Sequence, residues 1–191
     1  MAKLHDTPEN LARIQAGMIT KMDQLSDQLE AEEITIDEWA RKMGEIIAEG
    51  SGKAYRAGSG APITDREAAA VARFVAVQLA FLENFAADIT AGGWIPSYRA
   101  RAQMYATATR QPFSMGDVRK QAGRALPLPS MPTEGTICHT NCKCEWEIVT
   151  VNGRRGDFDA YWRLGTNDNC QTCIQRAADW APVQIREGVL L

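Results

Sequence analysis

Two short stretches, Cys138-His139-Thr140-Asn141-Cys142-Lys143-Cys144 and Cys170-Gln171-Thr172-Cys173, hold all five cysteines of this chain of 191 residues. An odd number of cysteines, clustered this tightly, is not the pattern of a disulfide framework. The first six residues lack the apolar core of a secretion signal, so we do not expect secretion. The two stretches therefore indicate metal ligands or a redox centre in the last third of the sequence.

The 25 residues between the two cysteine stretches predict a β-hairpin. Residues 144–151 have strand composition, Asn152-Gly153 is a turn signal, and residues 158–164 return as a second strand. Trp146 and Trp162 are expected to pair across the strands. Because an antiparallel hairpin brings its open ends within about 5 Å of each other, the cysteines that flank it should meet there.

A last helix is predicted from Cys170 to about Trp180. Asp168 or Asn169 can cap its start, and Pro182 follows its end. The backbone N–H groups and the dipole of a helix N-terminus favour ionised sulfur, so the cysteines of the first turn are suited to metal binding.

Four thiolates within reach of one point form the tetrahedral site that zinc prefers. The first choice of ligands is Cys142, Cys144, Cys170 and Cys173, with Cys138 or His139 as the alternative for one of them. Five thiols and one histidine are enough to close the shell, so the zinc would be structural. It would stabilise a domain of about 55 residues, whose own core is marginal. Reduced buried thiols, a disulfide and an iron–sulfur cluster are the alternatives.

A proline-rich stretch, Leu126-Pro127-Leu128-Pro129-Ser130-Met131-Pro132, can form neither a regular helix nor a central strand. Alanine-rich helical patterns precede it, and tryptophans, cysteines and β-branched residues follow it. We therefore predict a helical domain over 1–125, a linker over 126–134 and a cysteine-rich zinc-binding domain over 135–191. The predicted fold class is mainly α, with an N-terminal helical bundle followed by a small zinc-stapled β-hairpin/helix domain.

Apolar spacing and capping signals predict helices that begin at Thr7, Thr35, Thr64, Ser97 and Ser114. Gly50-Ser51-Gly52 should weaken or break the second helix. The third helix runs to about Thr90 and is apolar on nearly all sides, which is typical of a helix central to a bundle or buried between subunits. We expect its second apolar face, with Val77, Ala80 and Phe81, to mediate self-association or docking on a larger assembly.

Residues 97–124 carry six cations against one acid: Arg99, Arg101, Arg110, Arg119, Lys120 and Arg124. This stretch is either a basic surface for DNA or an acidic partner, or an ordinary solvated helix face. Three further cations lie in or beside the predicted hairpin, and the same two interpretations apply to them: Lys143, Arg154 and Arg155. The net charge of −3 argues against wholesale coating of nucleic acid.

Catalytic motifs are absent from the sequence: it has no P-loop, no Gly-x-Gly-x-x-Gly, no Gly-x-Ser-x-Gly and no His-Glu-x-x-His. The two histidines, His5 and His139, leave little room for histidine-based catalysis. We therefore expect no enzyme, and a thiol oxidoreductase is the weakest hypothesis. No apolar run reaches the 18–20 residues or so of a membrane span, so none is expected.

The two cysteine stretches, read with their neighbouring residues, form two motifs: His139-Thr140-Asn141-Cys142-Lys143-Cys144 and Asp168-Asn169-Cys170-Gln171-Thr172-Cys173. They resemble the His-Pro-Asn-Cys-Arg-Cys signature and the Cys-x-x-Cys element of tailed-phage minor head proteins, the Mu-like head morphogenesis family. Ile36-Asp37-Glu38-Trp39 and Arg101-Ala102-Gln103-Met104-Tyr105-Ala106 are similar to the helical part of such proteins.

The resemblance implies a phage or prophage structural protein, located in the virion and the host cytoplasm. It implies few copies near the portal, contact with portal or capsid protein, and a non-catalytic role in head assembly or DNA passage. The alternative hypothesis is a nucleic-acid-binding zinc module on a helical oligomerisation domain.

Overall fold

The computed structural model describes residues 8–153, 156–166 and 168–191. The chain is mainly helical and carries a small antiparallel sheet of four strands. The helices are α1 (Pro8–Glu30), α2 (Ile36–Ser59), α3 (Asp65–Gly92), α4 (Ser97–Ala108), α5 (Arg110–Ala122) and α6 (Gln171–Asp179). The strands are β1 (Glu145–Asn152), β2 (Asp157–Arg163), β3 (Val183–Arg186) and β4 (Val189–Leu190), and a short 3-10 helix spans His139–Asn141.

Two threonine caps begin α2 and α3, as the capping signals predict. The Thr35 hydroxyl accepts a hydrogen bond from the Glu38 backbone N–H at 3.2 Å. Thr64 forms a full capping box, because its side chain accepts from the Glu67 N–H and the Glu67 carboxylate accepts from the Thr64 N–H. The predicted cap Thr7 lies outside the described residues.

The predicted break in α2 is wrong. The helix continues through Gly50-Ser51-Gly52 and ends at Gly60, which is left-handed with φ 64°. A side chain at Gly50 would collide with Met18 of α1, so this glycine allows two helices to approach closely. Tertiary packing thus outweighs the weak helix propensity of glycine at this position.

The boundary between α4 and α5 also differs from the prediction. The start predicted at Ser114 is wrong, because α4 ends at Ala108 and α5 already begins at Arg110. Pro112 therefore falls in the first turn of α5, where the missing N–H removes no intrahelical hydrogen bond.

The first hydrophobic core is formed by α1, α2, α3 and α4 around the fully buried Trp39. The Trp39 ring contacts the Phe85 ring edge-on, with 5.4 Å between centroids. The apolar stripe predicted on the first helix is buried here through Met18, Met22 and Leu25.

The helix α3 is not central to the bundle, contrary to one of the two expectations for it. It packs against α2 through one face, while Val77 and Phe81 on the other side are 53% and 57% exposed. Within the described residues, α3 is the one helix that is long and apolar enough to cross a membrane by length and composition alone. Only 28% of its most apolar window is buried in the chain, so a large apolar surface is left uncovered.

The predicted hairpin is confirmed by β1 and β2, which pair antiparallel with Trp146 opposite Trp162. The centroids of these two rings are 5.2 Å apart. The sheet has two further strands, β3 and β4, which the sequence patterns do not predict. Its strand order is β1-β2-β3-β4. The loop residues Arg154 and Arg155 lie outside the described residues.

The proline-rich stretch forms neither helix nor strand, as predicted, and it packs on the sheet. The Trp146 indole N–H donates to the Ser130 carbonyl at 2.8 Å, and Leu126 is buried in the second hydrophobic core. Val118 of α5 also belongs to that core. The division into two domains stays a prediction. Val118 of α5 and residues of the sheet nevertheless belong to the same hydrophobic core.

Candidate metal centre

The five cysteines converge at the open end of the hairpin. Cys138 and Cys142 flank the 3-10 helix, and Cys144 immediately precedes β1. Cys170 is the N-cap of α6 and Cys173 lies in its first turn. Two stretches of the chain that are distant in sequence, 138–144 and 170–173, therefore bring their sulfur atoms to one place, as the hairpin argument predicts.

The sulfur atoms lie at distances that suit a shared metal ion. Cys173 Sγ is 3.8 Å from Cys138 Sγ and 3.7 Å from Cys142 Sγ. Cys170 Sγ is 3.4 Å from Cys138 Sγ. A Zn–S bond of about 2.3 Å in a tetrahedron places two ligand sulfurs about 3.8 Å apart. The observed spacings are close to that value.

The cysteines are a cluster that can bind a metal. Cys138, Cys142 and Cys173 have sulfur atoms that all lie within 4.8 Å of one another. Cys144 and Cys170 stand at the edges of this trio, near Cys142 and Cys138 respectively. Cys138, which the sequence offers as an alternative ligand, thus belongs to the three thiols that are all close to one another.

The thiols differ in their tendency to ionise. Burial raises the pKa of Cys173 and that of Cys138, because an ionised sulfur loses its hydration there. Hydrogen bonding with Cys144, together with burial, raises the pKa of Cys142 to about 12, and the same hydrogen bond lowers the pKa of Cys144. Burial opposes ionisation of Cys170, but backbone groups of Cys173 and Cys138 outweigh it and lower its pKa to about 6. Ionising several buried sulfurs together requires a cation between them, and a divalent metal ion supplies that charge.

Two residues other than the cysteines, Asn169 and Gly165, position the site. The side chain of Asn169 accepts a hydrogen bond from the Cys144 thiol at 3.7 Å and donates to the Gly165 carbonyl at 3.1 Å. A side chain at Gly165 would lie 2.8 Å from the Lys143 carbonyl oxygen, so glycine is required for this close approach. The predicted cap by Asp168 or Asn169 is wrong, because Cys170 is the N-cap and Asn169 braces the thiol cluster.

His139 is not part of the group of close ligand atoms formed by Cys138, Cys142 and Cys173. Its side chain is exposed and lines a groove between α3, α5 and the 128–140 segment. The residue has φ 42°, a left-handed conformation that turns the 3-10 helix between Cys138 and Cys142. The other histidine, His5, lies outside the described residues.

The arginines of the predicted basic stretch form ion pairs and hydrogen bonds with other residues of the same chain. Arg99 pairs with Asp27 and Glu30 of α1, and Arg101 pairs with Asp88. Arg119 forms an ion pair with Glu67. Arg110 donates hydrogen bonds to the Lys143 and Cys144 carbonyls, and Arg124 donates one to the Gly156 carbonyl. These arginines join α4 and α5 to the rest of the molecule.

The tryptophans of the second core pack together, with Trp146 and Trp162 buried and Trp180 half-buried. Trp180 stacks on Trp146 with 5.6 Å between the ring centroids, and it meets Trp162 edge-on. Arg176 lies over Trp162 and Trp180 at about 5 Å from each centroid. This cluster packs α6 on the sheet and so holds Cys173 against the hairpin.

Comparisons of the chain with protein-family models, with curated proteins and with solved structures find no match.

Proposed function

We propose that the chain is a non-enzymatic structural protein whose C-terminal part is stabilised by a zinc ion bound to four cysteines. The observation that carries the proposal is the cluster of Cys138, Cys142 and Cys173, with Cys144 and Cys170 beside it, which two distant stretches of the chain bring together. Cys138, Cys142 and Cys173 provide three ligands, since their sulfurs are mutually within 4.8 Å. Cys144 or Cys170 provides the fourth. A closed shell of thiolates leaves no position for a catalytic water, which is the arrangement of structural zinc.

The biological setting that we propose is the head of a tailed phage or prophage. Its support is the likeness of residues 139–144 and 168–173 to the cysteine motifs of minor head proteins. Two of the three clustered thiols, Cys142 and Cys173, and the Asn169 brace lie in these stretches, and Cys138 immediately precedes the first of them. The protein would act near the portal, in the virion and the host cytoplasm, by binding portal or capsid protein during head assembly or DNA passage.

The hypothesis of DNA contact through the basic stretch has no specific observation in its favour. Arg99, Arg101 and Arg119 are held in ion pairs with acidic side chains of the same chain. A guanidinium that already pairs with a carboxylate contributes less to phosphate binding, because that pair must first be broken.

Metal analysis of the purified chain and of five single Cys→Ser variants tests the zinc proposal. We expect about one zinc per wild-type chain and loss of zinc in the Cys138, Cys142 and Cys173 variants. One of the Cys144 and Cys170 variants should keep its zinc, and that result identifies the fourth ligand. Zinc-free wild-type protein with all five thiols reduced would contradict the proposal.

Binding to portal and capsid proteins tests the biological setting separately. We expect the wild-type chain to co-sediment with portal assemblies from the same phage or prophage genome. A chain that contains zinc but binds neither assembly would keep the metal proposal and remove the phage one.

A further inference from the structure

The cysteine cluster contains one thiol more than the four that a tetrahedral zinc site uses. The five thiols also differ in their access to solvent. Cys142, Cys144 and Cys173 are each only 1% exposed, whereas Cys138 and Cys170 are half-buried. A small solute can therefore reach Cys138 and Cys170 from solvent more easily than it can reach the other three thiols.

The two accessible thiols are also direct neighbours. The Sγ atoms of Cys138 and Cys170 are 3.4 Å apart, whereas Cys173 Sγ lies 3.7 Å from Cys142 Sγ and 3.8 Å from Cys138 Sγ. The residues on both sides of Cys138 are exposed, and so is Gln171 after Cys170. A disulfide bond is about 2.05 Å long, so the sulfurs of Cys138 and Cys170 need to move only about 1.4 Å closer to form one.

We propose that Cys138 and Cys170 are an oxidation site, at which hydrogen peroxide joins the two sulfurs in a disulfide and thereby releases the zinc ion. One sulfur attacks a peroxide oxygen and the O–O bond breaks, which gives a sulfenic acid and one water molecule. The second sulfur then attacks the first, and the S–O bond breaks as the S–S bond forms. The leaving hydroxide becomes water by taking the proton of a free thiol, or a solvent proton where the sulfur was bound to zinc. The two sulfurs lose two electrons, and one peroxide is reduced to two water molecules.

The disulfide removes the metal whether Cys144 or Cys170 is the fourth ligand. Cys138 belongs to the proposed ligand set, and a sulfur within a disulfide no longer carries the negative charge that binds zinc. The thiols that remain, Cys142, Cys144 and Cys173, are one too few for a closed tetrahedral shell. The release of metal rests on the proposed zinc site, whereas the choice of disulfide partners rests on the exposure and distance of the two sulfurs.

Peroxide treatment of the zinc-loaded full chain tests the proposal. After oxidation, the protein is denatured in mild acid, the free thiols are alkylated with N-ethylmaleimide, and peptide mass spectrometry locates the cysteines without the label. We expect a disulfide between Cys138 and Cys170, alkylation of the other three thiols, and release of one zinc ion per disulfide to a chromogenic indicator. Dithiothreitol followed by zinc should restore the metal content.

Three results with the wild type would overturn the proposal. The first is a disulfide between other cysteines, such as Cys142 and Cys173. The second is a Cys138–Cys170 disulfide in protein that keeps its zinc. The third is peroxide-treated protein that forms no disulfide.

Cys170→Ser and Cys144→Ser are the matched variants, because one of these two residues is the fourth ligand of the proposed zinc site. If Cys170→Ser keeps its zinc, peroxide should release that zinc at least about 10-fold more slowly than from the wild type, since Cys138 has lost its partner. If Cys144→Ser keeps its zinc, it should release the metal as fast as the wild type and form the same disulfide. The opposite behaviour of the variant that keeps its zinc would overturn the proposal.

Zinc content measured before oxidation separates this inference from the proposed function. A wild-type chain without zinc would contradict the metal centre, but it should still form the Cys138–Cys170 disulfide, because the two accessible sulfurs are in contact. A wild-type chain that contains zinc but does not form this disulfide would keep the metal centre and remove the oxidation site.

Discussion

Single residues at the open end of the hairpin determine whether the thiols can meet. Gly165 lets the chain after β2 pass against the Lys143 backbone, and Asn169 links that chain to the Cys144 thiol. Neither residue offers a sulfur ligand. Their importance comes from a close approach between segments that are distant in sequence, so composition alone gives no sign of it.

Gly165→Ala should weaken the site although every cysteine is kept. The added methyl group would overlap Lys143, and relief of that overlap should cost about 1–3 kcal/mol and spread Cys144 away from Cys142. Competition with a zinc chelator would then release metal at a lower chelator concentration than in the wild type. Gly153→Ala is the control, because a side chain there meets only ordinary contact at 3.7 Å. Equal zinc affinity in the two variants would contradict the role given to Gly165.

A buried ion pair at the start of α3 gives the fold a predictable pH dependence. Burial opposes ionisation of Glu67, but hydrogen bonds from Thr64, Arg119 and Tyr55 outweigh it and lower its pKa to about 2. Burial, together with the nearby Glu67 charge, raises the pKa of Tyr55 to about 12. The network joins α2, α3 and α5.

We expect Glu67→Gln to lower the free energy of unfolding at neutral pH by about 1–3 kcal/mol. Because the pKa of Glu67 is depressed in the folded chain, its stabilisation is complete above its ordinary pKa and declines as the pH falls through about 2. Urea denaturation of the wild type and of Glu67→Gln at pH 7 and pH 3 measures this effect. The difference in the free energy of unfolding between the two proteins should be smaller at pH 3. Glu45→Gln, in an exposed pair with Arg41, should have little effect at either pH. A constant difference for Glu67→Gln would show that its charge is not responsible.

At the scale of elements, the contact between α5 and β1 joins the helical part to the sheet. The Gln121 side chain accepts from the Ile148 N–H at 2.9 Å and donates to the Trp146 carbonyl at 3.1 Å. It therefore satisfies two backbone groups at an edge of the sheet, much as a neighbouring strand would. An uncovered edge invites pairing with other chains.

Gln121→Ala should destabilise the chain by about 1–3 kcal/mol, since two backbone groups at the edge of β1 lose their partner. It should also increase aggregation on storage, which light scattering over several days measures. Gln175→Ala is the control, because Gln175 makes an exposed hydrogen bond to Asp179 within α6. Indistinguishable behaviour of the two variants would show that Gln121 is not needed to cover the edge.

Elements specified by local signals were predictable, and those specified by distant partners were not. The capping box at Thr64 and the hairpin around Asn152-Gly153 follow from neighbouring residues, and both are observed. The continuous α2 depends on Met18 and α1, which no local rule considers. The short β3 forms because β2 offers it an edge, and β4 in turn pairs with β3. For the candidate site, the meeting of the cysteines was predictable from the hairpin, whereas the Asn169 brace was not.

At the scale of the whole molecule, the described residues form two hydrophobic cores. The first is built by α1–α4 around Trp39, and the second contains the thiols, the tryptophans of the sheet and Val118 of α5. Because Cys142, Cys144 and Cys173 are buried members of the second core, a bound metal would stabilise that core directly.

Cys173→Ser should therefore unfold the sheet and α6 while most of the helical signal survives. The first core contains no cysteine and keeps its own aromatic contacts, so α1–α4 should persist, whereas α5 should become partly labile. Far-UV circular dichroism and limited proteolysis measure the two effects, with cleavage expected beyond residue 122. Loss of the whole helical signal would show that the two cores do not fold separately.

X-ray absorption at the zinc edge of the purified full chain tests the proposed metal site most directly. Four sulfur neighbours at about 2.3 Å, with no nitrogen or oxygen ligand, are the predicted result. A mixed shell that includes nitrogen would replace one thiolate by a histidine and contradict the four-cysteine site. Absence of a zinc edge in protein with reduced thiols would contradict the metal centre as a whole.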